Sequence, residues 1–238
     1  MDPPDERVLI PPDANRVAAR ALVLAAVSCR ALAERDAADS GTEDFRRRIA
    51  DWLGAMGLAN EIEPAEATLI YTEVGELDGK TADDASWRSE GMAVLAWALG
   101  CADLPPVHVE CDSNATADAM GFLDDWEDTT LNGPDLRAWD EIQAWADTYL
   151  TLHWRLRQFS EEPGPIDFPA YVSACNWGPL RLDYLEIVDG DLAFDGVRID
   201  QLADGAVNHA LGIAQERHQA FNWLLGFDPR YSAVSTDT

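Results

Sequence analysis

With 238 residues, 47% of them apolar, and nine tryptophans, the chain can build one large hydrophobic core and lies far from the composition of disordered proteins. Its 44 acidic residues against 17 basic ones give a net charge of −27, a field that repels phosphate backbones and anionic bilayers and so argues against nucleic-acid and membrane partners. The same charge can reflect solubility and host composition, as the bias to sixteen Arg against Lys80 alone would fit, or can present an acidic face to a basic protein partner.

The segment Met1–Glu6 is acidic where a secretory signal is basic, and no stretch approaches 18 uninterrupted apolar residues. Cys29, Cys101, Cys111 and Cys175 stand at unrelated spacings without a Cys-x-x-Cys pair, which predicts reduced, buried thiols and a cytoplasmic location.

Residues 1–12 read as a proline-marked N-terminal extension and 13–238 as a single domain. Asp13 is placed to cap a helix running to about Asp36, ended at Ser40-Gly41. Thr42 opens a second helix closed near Gly57, and Pro64 sits in the first turn of a short third one through Tyr71. Residues 75–84 read as a loop, after which Asp84 or Ser86 caps a helix to Gly100 that is apolar almost all round and therefore central.

The segment from Asp103 to Glu141 holds eleven acidic residues against Arg137 alone, and its stretch 103–135 reads as a long acidic loop, densest at Asp124, Asp125, Glu127 and Asp128. From about Pro134, apolar residues recur every three or four positions to Phe159, and a short helix follows near Phe168–Cys175. Between 180 and 199 the period drops to two, and Asp189-Gly190 and Asp195-Gly196 mark hairpin turns, predicting an antiparallel meander near 182–199. Asp200 is read as the cap of a final helix over 200–225 with Gly226 at its end. The expected fold is α+β, predominantly α, with six or seven helices.

Standard chemistry is missing. No Glu-x-x-His pair, His-Glu-x-x-His motif, phosphate-binding glycine loop, dinucleotide fingerprint or nucleophile elbow occurs, so neither a metal nor a cofactor is expected, and Asp189, Asp191 and Asp195 are assigned to turns rather than calcium. Helical phase instead selects polar residues in apolar surroundings. His153 and Arg157 are neighbours one turn apart, His218 falls on the apolar stripe of the last helix, His209 and Glu216 share a face, and Arg88 and Glu90 flank the central helix. Such residues form satisfied buried networks, or converge in a cleft as a general acid and base with an anion-holding Arg.

Three stretches carry a family resemblance: Trp87-Arg88-Ser89-Glu90-Gly91 with Leu95–Gly100, then Leu152-His153-Trp154 with Arg157, and finally Glu216-Arg217-His218-Gln219-Ala220-Phe221-Asn222-Trp223-Leu224, followed by Asp237-Thr238. Together, over roughly 13–238, they resemble DUF4272, a bacterial family of domains of unknown function. Where that family tends to carry Tyr-Arg before the Leu-His-Trp element, this chain has Leu150-Thr151. The resemblance implies a shared fold and no reaction. It places Arg88, Arg157, Glu216, Arg217 and Asn222 as candidate binding residues beside the candidate catalytic Glu90, His153 and His218.

Two functional expectations result. One is a non-enzymatic module that docks a basic protein, such as a toxin's immunity protein, through the acidic segment. The other is a small-molecule binder or hydrolase-like enzyme whose pocket gathers Glu90, His153, Arg157 and His218.

Overall fold

The computed structural model describes residues 9–35 and 41–238. Helices α1 (Ala14–Arg35), α2 (Thr42–Ala55), α3 (Pro64–Tyr71), α4 (Gly79–Ser86), α5 (Arg88–Ala98) and α6 (Ser113–Ala119) make the first half. The second half holds α7 (Trp139–Glu161), α8 (Phe168–Ala174), strands β1 (Glu186–Val188), β2 (Asp191–Phe194) and β3 (Val197–Arg198), and α9 (Asp204–Leu224). The fold is thus α+β and predominantly helical.

The helices stack in the order α1, α5, α9, α7, with α2, α3, α4 and α6 packed around α1. Both inner helices are buried nearly all round: α5 from Glu90 to Ala98, and α1 from Val17 to Ala31 with only Ala19 part-exposed. Two arginines in α1 are fully buried because local acceptors meet them. Arg20 donates to Glu66 Oε2 at 2.6 Å and to the Glu61 carbonyl, and Arg30 donates to Glu34 at 2.7 Å and to the carbonyls of Thr72 and Glu73.

α5 approaches its neighbours closely at Gly91. A Cβ there would collide with the Tyr231 hydroxyl, which is itself buried without a hydrogen-bond partner among the described residues. Gly91→Ala should therefore destabilise by about 1–3 kcal/mol through overpacking, measured by urea unfolding. Tyr231→Phe, which removes an unsatisfied oxygen, should be neutral or stabilising, and should restore part of the loss in the double variant. Equal losses with and without the hydroxyl would show that the contact is not the cause.

The meander forms a three-stranded antiparallel sheet in the order β1-β2-β3. Both connections place Asp and Gly at positive φ, 49° and 82° at Asp189-Gly190 and 52° and 80° at Asp195-Gly196, the conformation of two-residue hairpin turns that match the strand twist.

Local expectations shift in several places. α4 occupies much of the segment read as a loop: Asp78 accepts from Thr81 N at 2.9 Å and starts a helix that buries only Ala82, too little for a periodic signal. Ser86 ends that helix rather than capping the next, and Trp87 stands at the N-cap of α5. Asp200 pairs with Arg198 in a 3-10 turn, leaving Ala203 at the N-cap of α9. α7 begins at Trp139, and α6 interrupts the acidic segment, capped by Asp112. Of the cysteines only Cys29 is buried; the other three are part-exposed, and all four are free thiols. The limits proposed at Asp36 and Ser40 fall outside the described residues, as do residues 1–8 of the proposed extension.

Candidate functional site

The polar candidates chosen by helical phase concentrate at the α5, α7 and α9 interface, in three networks. Arg88 and Glu90 each find a partner on α9 rather than each other. Arg88 Nη1 donates to Glu216 Oε2 at 2.9 Å and to Gln219 Oε1 at 3.2 Å. Arg217 holds Glu90 Oε2 through Nε at 2.8 Å and Nη2 at 2.6 Å. Both members of the second pair are buried, so each needs its full set of partners.

Arg217 gets them from the chain wrapped around it. It donates to the Tyr149 hydroxyl at 2.9 Å, to the carbonyls of Pro105 and Pro106 at 3.3 Å each, and to that of Val109 at 2.7 Å. Glu90 Oε1 accepts from Cys111 N at 2.8 Å. The ion pair therefore clamps the loop 105–111 at both ends. Side chains of that loop then reach outward: His108 lies 3.2 Å from Asp195, stacked on Phe194, and Glu110 lies 3.4 Å from His209. These two His–carboxylate contacts carry no sequence signal, because each joins segments about a hundred residues apart.

The third network joins the two buried histidines. Asn222 Nδ2 donates to the Ser235 carbonyl at 3.0 Å, which fixes its amide orientation, and the same nitrogen donates to His218 Nε2 at 3.1 Å. His218 must then carry its proton on Nδ1 and donate it to His153 Nδ1, 3.0 Å away. Burial pulls both imidazoles down, His153 to about 4 with help from the Arg157 charge and His218 to about 3 with help from His153. Both are neutral at pH 7. Arg157 turns away toward the surface, donating to Thr238 Oγ1 at 3.2 Å and facing Glu161.

Glu90, His153, Arg157 and His218 thus do not line one open cleft. Glu90 belongs to the loop clamp and the histidines to a neutral buried pair, and Arg157 meets the histidine network only through the segment 235–238, which Asn222 holds at Ser235 and Arg157 at Thr238. A further buried pair escaped helical phase. Arg155 holds Asp191 through Nε at 2.8 Å and Nη2 at 2.6 Å, tying α7 to β2, with Ile166 N as a third partner of the carboxylate. Asp191 had looked like turn chemistry because it follows Asp189-Gly190.

The acidic candidates lie elsewhere, on a loop whose backbone carbonyls are held by hydrogen bonds. Trp52 Nε1 donates to the Asp124 carbonyl at 2.7 Å, Thr130 N to the Met120 carbonyl at 3.0 Å, and Asn132 Nδ2 to the Glu127 carbonyl at 3.0 Å. Gly121, at φ 72°, lets the strand of chain at Asp128 pass where a side chain would collide. The result holds Asp124, Asp125, Glu127 and Asp128 on the surface, none paired with a cation among the described residues. Trp126 stands among them 47% exposed, and Trp139, at the far end of the segment, is 48% exposed.

Compared with known families, residues 4–167 match the domain of unknown function DUF4272. The chain belongs to that family. No curated protein and no solved structure matches it. The DUF4272 match contains the Trp87–Gly100 and Leu152–Arg157 motifs and the acidic loop, whereas the sheet and α9, with Glu216, Arg217, His218 and Asn222, lie beyond it. No helix among the described residues is long and apolar enough to cross a membrane, and among those residues no three His, Cys, Asp or Glu side chains are grouped to hold a metal ion.

Proposed function

We propose that the protein is a cytoplasmic, non-enzymatic interaction module that docks a basic protein partner through the loop 121–133. The observation that carries this reading is Trp126, an exposed aromatic ring flanked in sequence by four surface carboxylates that no cation pairs among the described residues, on a loop held by hydrogen bonds to its backbone from α2 and from Asn132. An aromatic anchor with a charged rim is the composition of an interface hot spot, and a prearranged loop loses little entropy on binding. The net charge of −27 extends the attraction and speeds encounter with a cationic surface.

A small-molecule site made of Glu90, His153, Arg157 and His218 has less to support it. Each of these side chains already has a partner, three are buried, and the neutral histidine pair is poorly placed to exchange protons with a substrate.

Affinity capture from the native host separates the two. The wild-type chain should retain one protein of high isoelectric point at low salt and release it as ionic strength rises past the range where screening shortens to about 8 Å. Trp126→Ala, and the set Asp124→Asn, Asp125→Asn, Glu127→Gln and Asp128→Asn, should each abolish that retention. Equal retention by the neutralised variant, or recovery of nothing at any ionic strength, would sink the docking reading.

A further inference from the structure

A cavity of about 230 Å³ opens between α1, α3, α4 and the start of α5, with Tyr231 and Ser232 of the C-terminal segment on its other side. Most of its wall is apolar, from Val27, Ala65, Leu69 and Ala85. Two polar residues on that wall retain unused bonding capacity. Arg88 donates to Glu216 and Gln219 through Nη1 only, leaving Nε and Nη2 without an acceptor among the described residues. Glu66 accepts from Arg20 and from Glu63 N through Oε2 only, leaving Oε1 without a donor.

Their surroundings hold both charges in place. Glu66 is fixed by a buried arginine and a helix-capping interaction, and Arg88 is pinned between Glu216 and the Tyr231 ring. The two are close enough for their charges to interact, yet no direct salt bridge joins them. A single cavity therefore offers one anion handle, one cation handle and an aliphatic wall. Glu63, which accepts from Ser232 N, and Asp84, which pairs with Lys80, add two further carboxylates to the lining.

We infer that this cavity binds a small zwitterion with an aliphatic side chain, an α-amino acid of about leucine size. Its carboxylate takes the free donors of Arg88, its ammonium group takes Glu66 Oε1, and its side chain lies against Val27, Ala65, Leu69 and Ala85. A plain carboxylic acid leaves Glu66 unmet, and a plain amine leaves Arg88 unmet, so each loses one charge-assisted hydrogen bond in a partly desolvated site. The site is independent of the docking loop, and neither proposal requires the other.

Isothermal calorimetry with L-leucine, 4-methylpentanoate and 3-methylbutylamine tests the assignment on the full chain. Leucine should bind, and removing either charge should weaken binding about tenfold or more. Ala65→Trp introduces a bulky ring into the cavity wall from an exposed position and should abolish binding while circular dichroism stays unchanged. Should that variant fail to fold, Asp84→Asn, on the exposed edge, should still weaken leucine several-fold. The inference is overturned if leucine, valine, isoleucine and methionine all give no heat at roughly 10 mM, if the amine binds as tightly as leucine, or if a folded Ala65→Trp variant binds undiminished.

Discussion

Replacing Arg217 by Met is expected to cost about 3–5 kcal/mol, because it strands the Glu90 carboxylate in a buried site with Cys111 but no cation to stabilise it. A domain of this kind has roughly 5–15 kcal/mol in hand, so the variant should lose a large share of its stability and unfold at clearly lower urea. The backbone adds to the loss. Three carbonyls of the loop 105–111 accept from this one guanidinium, and without it the loop loses its inner anchor.

Two measurements check this. Urea midpoints for Arg217→Met, Glu90→Leu and the double variant form a cycle, and the double variant should recover much of the single-variant loss because it buries no uncompensated charge. Proteolysis under native conditions should cut the single variants first near Val107–Glu110. A loss below about 1 kcal/mol for Arg217→Met, or additive effects in the cycle, would mean that the pair does not hold the loop.

This clamp also shows where sequence reading reaches its limit. Helical phase placed Glu90, His153 and His218 in apolar surroundings, which follows from a period of 3.6 residues alone, whereas Arg217 entered only through the family resemblance. Which residue each would meet depends on how α5 and α7 approach α9, across 127 residues for Glu90 and 65 for His153, and no local pattern encodes it. Arg88 and Glu90 stand two residues apart on one helix, and each makes its pair across to α9, with Glu216 and Arg217.

The hairpin turns were legible for the opposite reason. Asp-Gly at positive φ is dictated by two adjacent residues, so nothing distant is needed. Between these extremes lies α4, whose polar sequence hides a helix started by its Asp78 cap, packed through Ala82 and Ala85 and tied to α1 by Arg35. The cavity beside Arg88 is the least legible feature. It is a gap between four helices, and its two open valences appear only after every other partner has been assigned.

The histidine pair should make stability fall steeply with mild acid. An unfolded histidine titrates near 6.5, whereas His153 and His218 in the fold hold out to about 4 and 3. Above pH 7 both states are neutral and the pair has no pH effect. Between 6.5 and 4 the unfolded chain takes up protons that the fold refuses, so the unfolded state gains and stability drops as pH falls. At pH 5, about 1.5 units below the unfolded value, the loss is on the order of 2 kcal/mol per histidine. It levels off once the folded pair itself is protonated, below about pH 3.

Buried Glu216, whose carboxyl burial pushes upward despite Arg88, works in the other direction, so the total profile alone is not decisive. The variant His153→Gln with His218→Gln keeps Glu216 and removes both imidazoles. Unfolding free energies at pH 7 and pH 5 should therefore differ by about 4 kcal/mol more in the wild type than in this variant, whatever each loses in absolute stability. Parallel profiles would show that the two rings are protonated together with the unfolded chain, and hence that the Nδ1 to Nδ1 hydrogen bond does not hold them neutral.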